Sequence, residues 1–197
     1  TSTGALNLGS GTVTGNLVAN SNGNPITQAG GLTVTGTSGL TATGAAITLT
    51  QAANNFGGTV TATGTNIQLT DANAMTVVLT DGGASTLIAG GNLVSSGTTT
   101  GLLTTTTSAG GTTSFGVTNA GTMNVTSAGA VSQTGAIATG ATTISAAGQT
   151  VTLTGPAVEG IIATILDLDE KDRLVVLMDM LGRPVKARVS TSNVRPG

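Results

Sequence analysis

The stretch ITLTQAANNFGGTVTATGTNIQLTDANAMTVVL, residues 47–79, decides the fold. It contains four short segments, ITLT, TVTAT, NIQLT and MTVVL, in which apolar residues alternate with Thr or another small polar residue. Alternation with a period of two places Ile47 and Leu49 on one face of a strand and the threonines on the other. Gly and Asn between the segments tolerate the backbone conformations of tight turns. The stretch therefore predicts three or four half-buried strands joined by turns.

The same apolar-Thr unit recurs along the chain as LTVTG (32–36), LTATG (40–44), VTATG (60–64), MNVTS (123–127) and VTLTG (151–155). A turn of three such strands takes about 20 residues, which is typical of a repeat that stacks on itself. We therefore predict an all-β chain built around a right-handed parallel β-helix of seven or eight coils, roughly 35 Å long. An antiparallel sandwich would normally contain more aromatic residues and hairpin turns. The repeat pattern is weakest in the polar stretch 98–113, where it approaches low complexity and leaves the coil register open.

The composition changes sharply near residue 155. Residues 1–155 contain 28 of the 31 glycines, no Lys or Arg, and only the acids Asp71 and Asp81. Residues 156–197 contain all six basic residues and the other six acids. We therefore predict a Gly/Thr-rich solenoid over 1–154 and a small barrel over 155–197, whose first strand comes from about 150–154. The chain begins with Thr1 and has no signal-peptide pattern, so we interpret it as a processed or excised piece.

Catalysis and cofactor binding are not expected. The chain has no His and no Cys, which excludes Ser-His-Asp and Cys-His sites and ordinary zinc sites. Asp71, Asn73 and Asp81 match no calcium-binding loop, and turn capping is the better interpretation. The acids at 167–172 alternate with basic residues and indicate a solvated hairpin tip. We predict no enzyme, no cofactor and no metal site.

A resemblance to a known family lies in QAANNFGGTVTATGTNIQLTDANAM, residues 51–75. The unit Asn54-x-Phe56-x-Gly58, followed by an alternating strand and then Asp71-Ala72-Asn73, resembles repeats of filamentous-haemagglutinin-like exoproteins and autotransporter-type adhesins. The resemblance covers about 150 residues, although the motif is specific over about 25 of them. It implies a β-solenoid shaft exported to the cell surface, with a host or neighbouring-cell surface ligand. Asn54, Asn55 and Phe56 are predicted to form stacked side-chain ladders inside the coils.

The tail of the chain, from residue 155 onward, resembles a different family. Gly155-Pro156, Glu159-Gly160 and the segment MLGRPVKARV (180–189) resemble the KOW module, the SH3-like barrel of NusG-type transcription elongation factors. The resemblance implies binding to a ribosomal protein or to the Rho factor. The candidate partner-binding residues are an apolar edge and a basic strand: Ile161, Ile165, Leu174, Met178, Arg183, Lys186 and Arg188.

Three hypotheses of function therefore remain open. The first is a non-catalytic shaft of a bacterial surface adhesin, extracellular or at the cell surface, with the tail as its cap. The second is a KOW-type binding module of a transcription elongation or antitermination factor, which implies the cytoplasm. The third is an artificial or misassembled fusion of the two. The net charge of −2 and the scarcity of aromatic residues make nucleic-acid binding an unfavoured alternative, and no apolar run is long enough for a membrane-spanning helix.

Overall fold

The chain is a β-protein in every part that the computed structural model describes, which is residues 4–146, 150–153, 162–168, 173–180, 183–190 and 194–196. These residues contain 22 strands and no helix. In chain order the strands are β1 (Leu6–Asn7), β2 (Gly11–Val13), β3 (Leu17–Asn20), β4 (Ile26–Thr27), β5 (Leu32–Val34), β6 (Ser38–Thr41), β7 (Ile47–Leu49), β8 (Asn55–Phe56), β9 (Val60–Gly64), β10 (Ile67–Asp71), β11 (Met75–Asp81), β12 (Ser85–Ala89), β13 (Leu93–Thr107), β14 (Thr113–Thr126), β15 (Val131–Gln133), β16 (Ile137–Thr139), β17 (Thr142–Ser145), β18 (Thr150–Leu153), β19 (Ile162–Leu168), β20 (Arg173–Met180), β21 (Arg183–Ser190) and β22 (Val194–Pro196).

Strands β1 to β17 wind into a three-faced parallel solenoid. Face 1 stacks β1, β4, β7, β10, β12, the last parts of β13 and β14, and β17. Face 2 has two parts that no described strand pair joins: the three-stranded sheet β2, β5 and β8, and then the starts of β11, β13 and β14 with β15. Face 3 stacks β3, β6, β9, the rest of β11, the middle of β13 and β14, and β16. All of these pairs are parallel, so each coil lies on the one before it.

The coil length follows from the register on face 1. Leu6 is the Cα partner of Ile26 and Ile26 of Ile47, while Gln68 is the partner of Thr86. Each coil therefore takes roughly 20 residues, the length of a three-strand repeat, and the later coil is slightly shorter than the first two. The solenoid has about seven turns. These findings confirm the prediction of an all-β parallel solenoid with three strands in each coil.

The core runs along the inside of the coils as columns of apolar side chains. Ile26, Ile47 and Ile67 occupy one column and are fully buried, as are Leu49 and Leu69 in the next column. Their neighbours in the sequence, such as Thr48 and Gln68, point outward on face 1. Apolar residues of each alternating segment thus face the interior of the coil and the threonines face outward, as expected from the sequence.

The stretch 98–113, in which the sequence repeat is least regular, keeps the coil register over residues 98–107, with an irregularity in the pairing of β13 with β14 between Thr99 and Leu102. Residues 98–107 belong to β13, which at 15 residues is the longest strand, and they are in register with β11, β12 and β14. The interior accepts Thr99, Thr105 and Thr107, which are all buried. Because each coil is held by backbone hydrogen bonds to its neighbours, the ladder tolerates a few threonines in place of apolar side chains.

Strands β18 to β22 form a separate antiparallel sheet with the order β21-β20-β19-β18-β22. Its first strand in chain order, β18, lies at 150–153 and pairs with β19 and β22. Across all the described parts of the chain there is no helix of the length and apolar character needed to cross a membrane.

Candidate functional site

The motif Asn54-x-Phe56-x-Gly58 lies at the corner between face 1 and face 2, where Asn54 connects three coils. Its side chain is fully buried. Its Oδ1 accepts the Leu32 N–H at 2.9 Å, and its Nδ2 donates to the carbonyls of Leu49 and Thr70 at 3.2 and 3.1 Å. Its amide also pairs with that of Gln28, in two hydrogen bonds of 2.7 and 2.9 Å. The role of Asn54 is to satisfy backbone groups that the corner leaves unpaired.

At this motif the structure shows one amide pair, between Asn54 and Gln28, and the stacked ladders of Asn54, Asn55 and Phe56 stay a prediction. Phe56 points into the core with 2 % of its surface exposed, while Asn55 is half-buried on face 2, where Thr33 is its Cα partner. Gly58 lies against the coil below, because a Cβ atom added there would be 2.6 Å from the Gly36 carbonyl oxygen. Each defined residue of the motif therefore has a role in packing one coil on another.

Asp71 caps turns in two coils with one carboxylate. Its Oδ2 accepts the Phe56 N–H and its Oδ1 accepts the Asn73 N–H, both at 2.7 Å. The side chain of Asp71 is buried, and desolvation raises the pKa of this carboxyl above its ordinary value, although the hydrogen bonds from Phe56 and Asn73 act in the opposite direction. Asn73 itself is exposed and contributes its backbone N–H. This geometry agrees with turn capping, and the two N–H groups that the carboxylate caps belong to adjacent coils.

Asp81 repeats the same arrangement at the corner between face 3 and face 1. Its Oδ1 accepts from the N–H groups of Asn66 and Gly83 at 2.9 and 2.8 Å. Its Oδ2 accepts from the Ile67 N–H at 3.2 Å and from the Ser85 hydroxyl at 2.6 Å. The two acids of the solenoid thus serve separate corners. The described residues contain no group of three or more acidic side chains placed to hold a metal ion.

The outer surface of the solenoid carries columns of hydroxyl side chains. On face 3 the Cα partners Thr41, Thr63, Thr80 and Thr98 form one column, and on face 1 Thr86 and Thr104 continue the column of Thr48 and Gln68. Sequence reasoning placed threonine outside but did not align these residues between coils. Their alignment depends on the number of residues in each coil, and this number is known only from the strand pairing.

The candidate partner-binding residues of the tail fall into three groups. Lys186 and Arg188 are exposed on β21 and alternate with half-buried Val185, Ala187 and Val189. Met178 on β20 is 5 % exposed, so it contributes to the interior of this sheet. Ile161 lies outside the described residues, as do the side chains of Ile165, Leu174 and Arg183, whose backbones belong to β19, β20 and β21.

Fold and corner geometry together define a β-solenoid repeat protein. The family described as repeats of unknown function (DUF5649) matches residues 1–63 and 100–163, which together make up more than half of the chain. The chain therefore belongs to this repeat family. The second match extends past the change of composition at residue 155 and ends in β19. Neither the curated proteins nor the solved structures contain a match to the chain.

Proposed function

We propose that this chain is a non-catalytic shaft of a bacterial surface adhesin or exoprotein, extracellular or at the cell surface, whose tail acts as a cap. The observation that carries the proposal is the continuous parallel register of face 1, which joins eight strands between Leu6 and Ser145. A solenoid of this kind is quasi-one-dimensional, since each coil contacts its neighbours only. Such a shaft provides length and stiffness along one axis.

The chemistry of the outer surface supports a passive shaft. The two acids of the solenoid are both buried in corners, and its outer faces carry Thr, Ser, Asn and Gly together with exposed apolar residues such as Val18, Val94 and Val117. Such a surface is without charge, so it offers no electrostatic attraction to ions or nucleic acid. Recognition of a host or neighbouring-cell ligand then belongs to a more distal part of the adhesin, and the shaft sets its distance from the cell.

Deletion of one whole coil tests the shaft. Removal of residues 26–46 joins Pro25 to Ile47, and Ile47 is the Cα partner of Ile26, so the register is preserved. We expect a folded rod that is shorter by about 4.8 Å in small-angle X-ray scattering. Removal of residues 26–36 alone is the matched control, because it takes out about half a coil, breaks the register of the first coil with the rest, and should destabilise the chain more than the whole-coil deletion. Equal behaviour of the two deletions would contradict a stack of coils.

The cell-surface location has its own test. Intact cells of the producing organism, treated with an added protease, should lose the chain while a cytoplasmic marker stays intact. Protection of the chain until the cells are lysed would contradict the surface proposal and favour the second candidate below.

The second candidate is a KOW-type binding module, favoured by the order of the tail sheet. In that sheet the last strand, β22, returns to pair with the first, β18, on the side away from β19. This order suits a small SH3-like barrel, and β21 offers the exposed basic residues Lys186 and Arg188. The extension of the second family match beyond residue 155 supports a continuous chain over the fusion hypothesis.

Capture by the full chain tests this candidate. Purified ribosomal protein or Rho factor should be retained by the chain and released by the double substitution Lys186→Gln and Arg188→Gln. A matched control replaces Thr86 and Thr104, two outward residues of the solenoid, by Gln. No retention by the unaltered chain, or equal retention by both variants, contradicts the KOW-type role.

A further inference from the structure

Asn124 lies within a strand of the solenoid and not at a turn. It belongs to β14 and is exposed, between the buried residues Met123 and Val125. Asn is depleted in β-strands, because its side chain competes with the strand ladder for backbone hydrogen bonds. The presence of Asn at this position therefore needs a reason other than strand formation.

The asparagines at the corners of the solenoid have such a reason in their hydrogen bonds. The Oδ1 atoms of Asn16, Asn66 and Asn92 each accept a backbone N–H from the next coil, at 2.9, 3.2 and 3.0 Å. Asn54 does the same between three coils. The side-chain amide of Asn124 makes no hydrogen bond to any residue in the described ranges, so it has no part in holding the coils together.

Asn124 begins the triplet Asn124-Val125-Thr126, which is the one Asn-x-Ser/Thr sequence in the chain. Such a triplet, with any residue but proline in the middle, is an acceptor for N-glycosylation. Thr126 is exposed on the same outer side of β14, since residues two apart in a strand share a face. The amide and the hydroxyl are thus presented together, with their Cα atoms roughly 7 Å apart.

The surroundings of Asn124 leave room for a bulky group. Its Cα partners in the preceding and following coils are Thr104 and Thr143, whose side chains are short. Because β14 is paired on both sides at this point, Asn124 is exposed on an outer face and its exposure does not depend on either end of the solenoid. A group attached to its Nδ2 therefore lies in solvent.

We propose that Asn124 is a site of N-linked glycosylation. The donor is an activated sugar, joined through its C1 atom to the phosphate of a nucleotide or of a lipid. A bond forms between C1 and Asn124 Nδ2, and the bond between C1 and the phosphate oxygen breaks. The phosphate leaves with the electron pair, and one Nδ2 proton passes to a base of the transferase. The proposal goes beyond the shaft, which needs no sugar for its length or stiffness.

The sugar supplies hydration that the solenoid surface otherwise lacks. Residues 1–155 contain no Lys or Arg, and their two acids, Asp71 and Asp81, are buried. No charge on the outer faces therefore repels a second copy, and the exposed Ile88 lies on face 1 in the column of Thr126. An N-linked sugar is bulky and solubilising. On face 1 it keeps neighbouring shafts from packing side by side.

Mass spectrometry of the chain isolated from the producing organism tests the proposal. Cleavage before aspartate releases residues 81–166, because no Asp lies between Asp81 and Asp167. We expect this peptide to carry added sugar and its fragmentation to place the sugar on Asn124. Asn119 is the internal control, since it is exposed on the same strand but is followed by Ala-Gly, and it should be unmodified.

The added mass also identifies the donor. Individual sugar units indicate a nucleotide-linked donor, and an oligosaccharide of fixed composition indicates a lipid-linked one, and both support the proposal. A peptide with the mass of its sequence, or a sugar attached to a threonine, overturns it. The protease treatment of intact cells reports on location alone, so failure of the glycosylation site and failure of the surface shaft are distinguishable.

Substitutions in the full chain, expressed in the same organism, test the triplet itself. Asn124→Gln and Thr126→Val should each abolish the modification, and Thr126→Ser should retain it. Thr106→Val is the matched control, because Thr106 is the Cα partner of Thr126 in the preceding coil and lies outside the triplet. Circular dichroism of each variant establishes that the strands are intact. Equal modification of Thr126→Val and Thr106→Val overturns the proposal.

Discussion

Asn54 and Gln28 are 26 residues apart in the sequence, yet their side-chain amides form two reciprocal hydrogen bonds, 2.7 Å from Gln28 Nε2 to Asn54 Oδ1 and 2.9 Å from Asn54 Nδ2 to Gln28 Oε1. The pair joins a corner of the second coil to a corner of the third. The Oδ1 atom of Asn54 also accepts the Leu32 N–H, and its Nδ2 also donates to the carbonyls of Leu49 and Thr70. A satisfied buried network specifies one arrangement of the chain, and this one links three successive coils at one corner.

We predict that Asn54→Ala lowers the free energy of unfolding by about 1–3 kcal/mol, because it leaves buried backbone groups of three coils without partners. The measurement is urea denaturation followed by circular dichroism. Asn55→Ala is the control, since Asn55 is half-buried and turned outward on face 2, and its effect should stay within about 0.5 kcal/mol. A smaller loss for Asn54→Ala than for Asn55→Ala would contradict the role of the corner network.

The amide pair shows what the sequence leaves undetermined. The burial of Ile47 and Leu49 could be predicted from the alternation of apolar and polar residues, because this pattern is local and does not depend on the other coils. Contact between Asn54 and Gln28 depends on the length of the coil between them, and that length is not constant along the solenoid. Capping by Asp71 could be predicted for its own turn at Asn73, whereas its bond to Phe56 in the neighbouring coil depends on the same unknown length.

The stretch TTTGLLTTTT, residues 98–107, shows a second limit. A run of threonines offers no contrast between apolar and polar positions, so either set could face the core. Two adjacent leucines leave the choice open, yet Leu103 is buried and Leu102 is 41 % exposed. The register with β12 and β14 decides between them, and that register is a property of the stacked coils and not of the local sequence.

We predict that the stability of the solenoid changes with pH through Asp71. Desolvation raises the pKa of this carboxyl in the folded state above its ordinary value of 3.8, so the folded state binds the proton more tightly than the unfolded state. Protonation of Asp71 therefore stabilises the folded state. This stabilisation is fully present below pH 3.8 and is lost as the pH rises through the folded-state pKa. Relative to Asp71→Asn, the urea midpoint of the unaltered chain should rise as the pH falls from 8 towards 4. The opposite trend would indicate that the hydrogen bonds from Phe56 and Asn73 outweigh desolvation.

We predict that Gly58→Ala destabilises the chain by about 1–3 kcal/mol, because its Cβ would lie 2.6 Å from the Gly36 carbonyl oxygen and force two coils apart. The matched control is Gly39→Ala on face 3, where the nearest atom to the added Cβ is the Leu17 carbonyl oxygen at 3.9 Å. There the lower entropy of the unfolded chain should leave stability unchanged or raise it by up to about 1 kcal/mol. Thermal unfolding of both variants provides the comparison, and equal losses would show that the coil spacing does not depend on Gly58.

We predict that Thr105→Val stabilises the solenoid and that Thr107→Val destabilises it. Both threonines are buried in β13, two residues apart on the same inner side. The Thr105 hydroxyl has no hydrogen-bond partner among the described residues, whereas that of Thr107 donates to the Gly111 carbonyl at 2.7 Å and accepts the Ala128 N–H at 3.1 Å. Valine has nearly the same shape as threonine, so the exchange removes the buried hydroxyl and little else.

At Thr105 the exchange removes an unpaired polar group and should raise the free energy of unfolding by about 1 kcal/mol. At Thr107 it removes the acceptor of the Ala128 N–H and should lower the free energy of unfolding by about 1–3 kcal/mol, although the Gly111 carbonyl still accepts the Gly129 N–H. Urea denaturation of the two variants measures both values in one experiment. Opposite signs at two positions of one strand cannot arise from a general preference for valine in β-structure, since that preference acts equally on both. Losses at both positions would mean that the Thr105 hydroxyl has a hydrogen-bond partner in solution, such as a buried water molecule.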